Sequence, residues 1–411
     1  MLVDGDTAKI RQTCEATLRQ NWREGVRNTD RVPFAYTCPS PAHYPWQWYW
    51  DSCFAAIVWR HFDPTRSKRE LDSLLAAQRE DGFIGHTIFW NTPLTGRRRF
   101  TYNVTSPDAS MTSSIQPPLL AWAWRIAVGD PATVPGIFHH YDWLSANRDL
   151  DGDGLIWIVQ PDESGLDASP QFDAVWGRRA HDKPGFIFLV RRNRRLGYDL
   201  RRINAAGGPV CAEVATNVLQ GLSLLALGRP SLTPTIVERM YNDTAGLFEP
   251  IVRPKPRKTP ARTWAALAPL ALPDLPEQIG RRLVEDHLLD DREFWLPVPP
   301  PSVPPTEPSF SLRNDHHLWI RRYWRGPTWI NSAWLVWLGL TRLGYHLPAQ
   351  TLATRIMTAV VAEGLREYYD PYTGGGMGQV DFAWSSLVME MFAADPLAAA
   401  ASYLSLPAGT D

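Results

Sequence analysis

Apolar positions recur along almost the whole chain with the three-to-four-residue period of an amphipathic helix. The pattern predicts about a dozen helices, since strand-like stretches are few and short, the clearest being 154–159. Such helices joined by polar loops favour a ring of helical hairpins over a βαβ alternation. The predicted helices include Asp6–Asn21, Ser52–His61, Ser67–Arg79, Thr112–Val128, Thr133–Asn147, Cys211–Leu227, Ser231–Tyr241, Glu277–Leu289, Thr328–Leu343, Pro348–Glu367 and Phe382–Ala400.

Two proline-rich stretches, Arg253–Pro260 and Pro297–Pro308, resemble linkers between domains. We interpret them as surface loops, because the segments on both sides carry residues that must share one site. The sequence therefore predicts one catalytic domain over residues 1–411, with loop insertions near 160–210 and 250–310. The basic run Arg191–Arg202 is predicted to be a polar loop.

Composition narrows the class of partner. The chain is 44% hydrophobic and 21% charged, with a formal net charge of −1, so nucleic acid and anionic membranes are poor partners. No apolar run could cross a membrane, and the N-terminus lacks a signal-peptide core. The four cysteines are scattered, which favours a reduced, cytoplasmic setting. We expect a small-molecule partner, and a homo-oligomer is compatible with the sequence.

Tryptophan is abundant, at 19 residues, and many of the indoles stand beside Asp, Asn, Gln or Arg. Core packing explains any single tryptophan well. Clusters with polar neighbours fit sugars better, because a sugar has apolar C–H faces and a rim of hydroxyl groups. Composition therefore leans toward a carbohydrate ligand.

Metal and nucleotide motifs are weak. The stretch Asp149–Gly154 resembles half of an EF-hand loop, but Gln160 stands where calcium needs a bidentate Glu, so we interpret it as a structural turn. The adjacent pairs His139-His140 and His316-His317 are poorly spaced to share an ion. No nucleophile elbow or phosphate-binding loop is present. We expect no metal and no cofactor.

Two carboxylic acids stand out. Asp167 lies on a predicted loop beside Leu166 and Trp176, where partial desolvation would help it keep a proton. Glu367 is expected at the end of a long helix that stops at Pro371. A turn aspartate and a solvated helix-end glutamate are the ordinary alternatives. Glycoside hydrolysis needs one protonated and one ionised carboxyl group, which such acids could supply.

Six segments, in order along the chain, resemble glycoside hydrolase family 63. They are YPWQWYWDSCF (44–54), GFIGHTIFW (82–90), SSIQPPLLAWA (113–123), ESGLDASP (163–170), YWRGPTWINSAW (323–334) and EYYDPYTGGGMGQVDFAWSS (367–386). The resemblance implies an all-α (α/α)6 barrel, a toroid of helical hairpins with long loops over the mouth of the active site. It also implies an inverting α-glycoside hydrolase.

The resemblance further implies roles for individual residues. Asp167 would be the general acid and Glu367 the general base, and a rival glutamate found in short relatives is replaced here by Gly375. Asp51 would bind sugar hydroxyls. The cavity wall would consist of Tyr44, Trp48 and Trp50 on one side and of Tyr323, Trp324, Arg325 and Trp329 on the other.

Compact bacterial members of this family resemble mannosylglycerate and glucosylglycerate hydrolases, which split α-glycosides of D-glycerate. The carboxylate of glycerate calls for a cation, and Arg201 or Arg202 stands where relatives supply an arginine. Gln116 and Phe89 match further glycerate contacts, although relatives carry Tyr at the second position. A solvated surface run is the alternative for the arginines. The basis for choosing between mannose and glucose is not visible in the sequence.

The expected mechanism is one-step inversion, with water between carboxyl groups that lie roughly 6.5–9.5 Å apart. The nearest alternative substrate is a neutral α-glucoside or α-mannoside, such as a disaccharide. An isoprenoid-type α/α toroid cyclase would show an aspartate-rich cluster, which is absent here. A non-catalytic sugar-binding protein would have no need of both Asp167 and Glu367.

Overall fold

The computed structural model describes residues 4–92, 110–177, 183–255, 260–313 and 323–392. Within these ranges the secondary structure is mainly helical. The α-helices are α1 (Asp4–Asn21), α2 (Tyr49–Trp59), α3 (Pro64–Ala76), α4 (Leu120–Ala127), α5 (Pro135–Arg148), α6 (Lys183–Arg195), α7 (Leu200–Ala205), α8 (Val214–Ala226), α9 (Thr233–Met240), α10 (Glu277–Arg282), α11 (Ile330–Arg342) and α12 (His346–Glu363). A π-helical turn, Leu283–Leu288, extends α10.

Six helical segments form a closed inner ring. Each contacts the next in the order α2, α4, α8, the 3₁₀ helix Trp264–Ala271, α11 and the 3₁₀ helix Ala383–Met391, and the last of these packs against α2 again. Between successive inner segments the chain passes through an outer helix: α3, α5, α9, α10 and α12 in turn, with α1 preceding the ring. The described chain is therefore an (α/α)6 toroid.

Burial explains which segments lie inside. Every residue of α2 and of both inner 3₁₀ helices is buried, as expected for helices that are apolar on all sides. The outer helix α3 buries only one face, and Asp63 caps it by accepting hydrogen bonds from the amides of Thr65 and Arg66. Pro64 occupies the first turn of α3, which begins three residues before the predicted start at Ser67.

The strands are short antiparallel pairs at the ends of the helices. They pair as β1 (Trp22–Val26) with β2 (Pro33–Thr37), β3 (Gln47–Trp48) with β4 (Thr87–Ile88), β5 (Val210–Ala212) with β8 (Ile251–Arg253), β6 (Tyr241–Asn242) with β7 (Leu247–Phe248), and β9 (Arg366–Tyr369) with β10 (Gly376–Val380).

Several sequence predictions of local structure were wrong. Residues 154–159 form isolated bridges, such as that between Ile158 and Cys211, and no regular strand. The predicted helix Thr112–Val128 begins only at Leu120, because Pro117 and Pro118 cannot continue a helix. Helix α12 ends at Glu363, so Glu367 lies on β9 and not at a helix end.

The segments predicted as loop insertions also contain helices. The basic run Arg191–Arg202 was predicted to be a loop, but α6 and α7 occupy most of it. The stretch near 250–310 supplies the inner segment Trp264–Ala271, followed by α10. The predicted helix Phe382–Ala400 is a 3₁₀ helix over Ala383–Met391, and residues from 393 onward lie outside the described ranges, as does the His316-His317 pair.

Candidate active site

The residues expected to carry chemistry lie just before the inner segments of the ring or in their first turn. Because inner and outer helices alternate along the chain, the inner segments begin at the same end of the toroid. Asp51 lies in the first turn of α2, and Gln116 precedes α4. Asp167 lies on the path to α8, Trp329 caps α11, and Glu367 precedes the last inner segment. One end of the toroid thus gathers residues from distant parts of the chain.

The loop that carries Asp167 is anchored by a buried ion pair. Glu163 accepts hydrogen bonds from both terminal nitrogens of Arg148, at 2.9 and 2.7 Å, and both side chains are almost fully buried. It also accepts from the amides of Ile115 and Val159, at 3.0 and 2.7 Å. A single carboxylate therefore ties the segment before Gln116 to the loop before Asp167. Asp167 itself is half-buried.

Gly165 brings this loop against Trp50, which is expected to form part of the sugar-binding wall. Its φ is +71°, and a Cβ atom there would lie 2.5 Å from the ring of Trp50. The backbone amide of Trp50 donates in turn to the Gln116 side-chain oxygen at 2.9 Å. These contacts bring together three segments that were identified separately from the sequence.

Glu367 is held at the edge of the β9–β10 hairpin. Its carboxylate is buried, and Oε2 accepts a hydrogen bond from the amide of Gln379 at 3.0 Å. Tyr369, two residues further along β9, exchanges two backbone hydrogen bonds of 2.9 Å with Thr328. These bonds place the hairpin beside the start of α11.

Asp51 lies within electrostatic reach of Glu367. Burial raises the pKa of Asp51 well above its usual range, and the charges of Glu367 and Glu70 raise it further. Behind Asp51, the Glu70 carboxylate accepts from the Thr37 amide and hydroxyl and from the Ser52 hydroxyl. Asp51 therefore interacts electrostatically with one acidic side chain from β9 and one from α3.

A continuous set of aromatic contacts joins the two expected walls. Trp384 meets Trp50 edge to face at 5.4 Å and Trp329 at 5.6 Å between ring centroids. Its indole N–H approaches the Glu367 carbonyl oxygen at 3.4 Å. Phe382 continues the contacts to Tyr44, which meets Trp48. Trp384 was not predicted as a site residue, although it lies within the matching segment 367–386.

Burial separates the predicted wall residues into two groups. Tyr44, Trp48 and Tyr323 are partly exposed, as a surface that meets a ligand requires. Trp50, which contacts Trp384, is buried, at 4% exposed. Trp324 and Trp329 are 1% and 0% exposed, and their rings stack with centroids 3.8 Å apart. We expect this second pair to support the wall from behind.

Phe89 and Arg325 are also buried. Phe89 is 1% exposed and packs edge-on against Trp46. Arg325 forms two hydrogen bonds, of 3.0 and 2.7 Å, with the carboxylate of Asp173, six residues after Asp167. This ion pair connects the segment before α11 to the loop that carries Asp167.

The arginines of the basic run differ sharply in environment. Arg201 is exposed, and its guanidinium donates to the carbonyl oxygens of Asp149 and Leu150 at 2.9 and 3.4 Å. Arg202 is exposed as well. Arg192 is half-buried and donates to the Asn193 side-chain oxygen, and burial lowers its pKa.

Tyr198 lies near Arg192 in this region. Its buried hydroxyl has no hydrogen-bond partner among the described residues, and its pKa is raised by burial. A buried, unsatisfied hydroxyl near a half-buried guanidinium is a polar arrangement suited to a ligand. Sequence reasoning missed both residues, because only burial sets Arg192 apart from its neighbours.

The Asp149–Gly154 stretch is a structural turn, as predicted. The Asp149 carboxylate accepts from the amides of Gly152, Asp153 and Gly154. Arg239 pairs with both Asp151 and Asp153. Across the described ranges we find no cluster of three or more His, Cys, Asp or Glu side chains placed to hold a metal ion.

The structure also contains a large cavity near the segment after Asp167. A cavity of about 870 Å³ lies alongside the segment after Asp167 and is lined by charged residues that include Asp173, Glu249, Arg262 and Glu307. None of the residues expected to bind the sugar lines this cavity.

Of the helices in the described part of the chain, none has the length and apolarity needed to span a bilayer.

Comparison with known proteins identifies the family. The model of the MGH1-like glycoside hydrolase domain of mannosylglycerate hydrolase matches residues 44–231 and 229–385. A mannosylglycerate hydrolase of Thermus thermophilus is 30% identical, over 86% of this chain and 95% of that protein. The glucosylglycerate hydrolase of Mycolicibacterium hassiacum is 25% identical, over 85% and 92%.

Comparison with solved structures supports the same family. A family 63 mannosylglycerate hydrolase of Thermus thermophilus, in complex with Tris and D-glycerate, superposes with a TM-score of 0.73 and 26% identity, over 92% of this chain and 99% of that one. The resemblance to glycoside hydrolase family 63 and the helical toroid fold, both expected from the sequence, are therefore confirmed. The chain belongs to the family of MGH1-like mannosylglycerate hydrolase domains, and it is a glycoside hydrolase.

Proposed function

We propose that the protein hydrolyses 2-O-α-mannosyl-D-glycerate, 2-O-α-glucosyl-D-glycerate or both to the free sugar and D-glycerate. The observation that carries the proposal is the family match, because it runs through the segments that hold Asp167 and Glu367. Relatives named for each of the two substrates match along most of the chain. The ligand is thus a small glycoside with a charged leaving group.

The proposed mechanism is inversion in one step. Protonated Asp167 donates its proton to the glycosidic oxygen, and Glu367 removes a proton from the water that attacks the anomeric carbon. The amide of Gln379 donates a hydrogen bond to Oε2 of Glu367, the proposed base, and so helps to hold its carboxyl group in place. Asp51 binds sugar hydroxyls, with Tyr44, Trp48 and Trp50 beside it. A complex with sugar should show the Asp167 and Glu367 carboxyl groups roughly 6.5–9.5 Å apart.

The leaving-group side needs a cation for the glycerate carboxylate. The sequence favours Arg201 or Arg202, and Gln116 would bind glycerate hydroxyls. The half-buried position of Arg192, near the unsatisfied Tyr198 hydroxyl, makes Arg192 an equally specific candidate. A guanidinium partly removed from water binds a carboxylate more strongly than an exposed one.

The test is a panel of α-glycosides incubated with the purified protein, with released sugar identified. Mannosylglycerate or glucosylglycerate should be cleaved with far higher kcat/KM than the glycerol analogues, which keep the sugar and lose only the charge. Equal efficiency on glycerate and glycerol compounds would refute the charged leaving group. Inversion is checked by NMR of the first-formed anomer.

The responsible arginine can be found with matched variants. Arg192→Leu and Arg201→Leu remove one cation each from the same basic run. Loss of the glycerate preference in only one of them assigns the carboxylate to that arginine. Lysine at the same position should rescue only partly, because it lacks the bidentate geometry of arginine.

A further inference from the structure

Asp167 lies in a tight turn whose backbone needs support from its surroundings. The amide of Ser169 donates to the carbonyl oxygen of Leu166 at 3.0 Å, so Asp167 and Ala168 are the two central residues of the turn. Ala168 has a φ of +62°, a left-handed conformation that is strained for a residue with a side chain. Such strain persists only where the surrounding contacts hold the backbone in place. The position of the Asp167 carboxyl group therefore depends on what anchors the turn.

Before the turn, the chain is anchored within its own loop and against α2. The amide of Leu166 donates to the Ser164 hydroxyl at 3.1 Å, and Leu166 is buried. Gly165 lies so close to Trp50 that a Cβ atom there would meet the indole ring. The side of the turn that precedes Asp167 is therefore fixed by short contacts.

After the turn, the main anchor is the ion pair between Asp173 and Arg325. Asp173 belongs to the 3₁₀ helix Pro170–Ala174, which begins immediately after the turn. Each of its carboxylate oxygens accepts from one terminal nitrogen of Arg325, at 3.0 and 2.7 Å, a two-point geometry that fixes orientation as well as distance. The side chains are 4% and 26% exposed for Arg325 and Asp173. A guanidinium so far removed from water needs this carboxylate to balance its charge.

A second anchor on the same 3₁₀ helix is weaker. The side-chain amide of Gln171 donates to Oε1 of Glu213 at 3.3 Å. Glu213 is itself held at the start of α8, where Oε2 accepts from the amide and the hydroxyl of Thr216 at 2.7 and 2.8 Å. One long hydrogen bond restrains the helix less than a two-point ion pair does. We therefore expect the bond to Arg325 to control the path of the chain after Asp167.

The contacts of Arg325 differ from those of a residue that binds sugar. The family resemblance placed Arg325 in the cavity wall together with Tyr323 and Trp324. Both of its terminal nitrogens donate to Asp173, and its Nε atom is closed to solvent. Little of the guanidinium is left to meet a ligand, so its charge acts mainly on the loop of Asp167.

We propose that Asp173 and Arg325 are positioning residues, which hold the turn of Asp167 so that its carboxyl group meets the glycosidic oxygen. The inference deepens the proposed function, since it rests on Asp167 being the general acid. The proposed base, Glu367, lies on β9 and is held separately by the amide of Gln379. Loss of the ion pair should therefore misplace the acid and leave the base in position.

The decisive experiment compares two substrates that place different demands on the acid. The glycoside needs a proton on its leaving oxygen, whereas the α-glycosyl fluoride of the same sugar needs little protonation. Asp173→Asn keeps the size of the side chain and removes its charge. Its kcat/KM on the glycoside should fall at least roughly tenfold, because small misplacements of a catalytic group are costly. Its kcat/KM on the fluoride should stay close to that of wild type.

Equal losses on the two substrates overturn the inference, because damage to the fold or to sugar binding lowers both rates. Wild-type rates on both substrates overturn it as well. Glu390→Gln is the matched control, since it breaks another two-point pair, between a buried carboxylate and Arg60, near the far end of the last inner segment. The ratio of its two kcat/KM values should equal that of wild type.

Should Asp173→Asn not fold, Arg325→Lys decides the question. Lysine keeps the positive charge but replaces the planar fork by a single donor point. Its kcat/KM on the glycoside should fall severalfold more than its kcat/KM on the fluoride. Parallel changes on the two substrates, or no change on either, overturn the inference.

Failure of the proposed function can be told apart from failure of this inference. The comparison can be made on whichever glycoside the enzyme cleaves, with the fluoride of the sugar that is released. Asp167→Asn is the reference, since it should lose the glycoside and keep the fluoride. If Asp167→Asn loses both substrates, the assignment of the general acid is wrong. If Asp167→Asn loses only the glycoside and Asp173→Asn shows no such selectivity, the inference alone is wrong.

Discussion

Glu367 faces a backbone position where no side chain fits. Gly378 has a φ of +66°, and a Cβ atom there would lie 2.5 Å from Oε2 of Glu367. Gly378→Ala should therefore displace the carboxylate and lower kcat by at least roughly tenfold, since small misplacements of a catalytic group are costly. Gly228→Ala is the matched control, because Gly228 also has a positive φ but no neighbour within 4 Å. Comparable kcat losses in the two variants would contradict the steric argument.

The roles of Asp167 and Glu367 can be separated by leaving-group chemistry. Asp167→Asn and Glu367→Gln should each reduce hydrolysis of the natural glycoside by roughly 10²–10⁴-fold. A glycosyl fluoride needs little protonation of its leaving group. It should therefore be cleaved at a substantial rate by Asp167→Asn and not by Glu367→Gln. Rescue of the glutamine variant instead would reverse the two assignments.

Single residues were predictable where a motif surrounds them. Asp167 and Glu367 stand in long matching segments, so resemblance alone pointed to them. Arg192 carries no such signal, because its half-buried environment arises only from the fold, which also brings its neighbour Asn193 into a hydrogen bond with Gln160, 33 positions away in the chain. Trp329 was expected as a wall residue from the family resemblance, and its complete burial, which no sequence pattern predicted, leads us to expect that it supports the wall from behind.

At the level of elements, periodicity located the regular helices and misjudged the irregular ones. Helices α2, α8 and α11 have long apolar runs and were predicted to within a few residues. The inner segment Trp264–Ala271 contains Pro269 and folds as a 3₁₀ helix, so the 3.6-residue pattern did not find it. The β9–β10 hairpin, which holds Glu367, depends on pairing across residues 370–375 that no periodicity encodes.

The packing of α3 on α2 and β2 includes a buried carboxyl group that should make stability depend on pH. Burial raises the pKa of Glu70 from 4.5 to about 7, although hydrogen bonds from Ser52 and Thr37 oppose the rise. The folded state therefore binds this proton more tightly than the unfolded state. The contribution of Glu70 to the free energy of unfolding should fall by at most roughly 3 kcal/mol as pH rises from about 4.5 to about 7.

Urea unfolding of wild type and Glu70→Gln at several pH values measures this effect. The altered hydrogen bonds of Glu70→Gln change the free energy of unfolding by the same amount at every pH. The test is therefore how the difference in unfolding free energy between the two proteins varies with pH. Asp72→Asn, exposed on the same helix and paired with Lys68, serves as the control. Parallel pH dependences for wild type and Glu70→Gln would show that Glu70 does not titrate in this range.

For the whole molecule, the ring closes where its first and last inner segments meet. Glu390 is fully buried and accepts from Arg60 at 2.9 and 2.8 Å and from His61 at 2.8 Å. Burial alone would raise the pKa of Glu390, but these partners lower it. Glu390→Gln leaves Arg60 without its charge partner and should reduce the free energy of unfolding by about 3–5 kcal/mol.

Chemical denaturation tests this closure. Glu15→Gln, which removes an exposed pair with Arg19, should cost less than about 1 kcal/mol and provides the comparison. Equal destabilisation by the two variants would mean that the closing ion pair adds nothing beyond a surface contact. No sequence motif marked Glu390, because its partners lie more than 300 positions away along the chain.

The contacts of Trp50 limit which parts of this enzyme could be re-engineered independently. Gly165 presses against its ring, Gln116 accepts from its amide and Trp384 contacts its edge. We expect a library that varies the proposed sugar-binding residues around Trp50 to move the loop of Asp167, the proposed proton donor, at the same time, so that most of its members would be inactive. Variation confined to residues 183–205 leaves those contacts intact. Such a library should yield catalysts that release new leaving groups while still producing the inverted anomer.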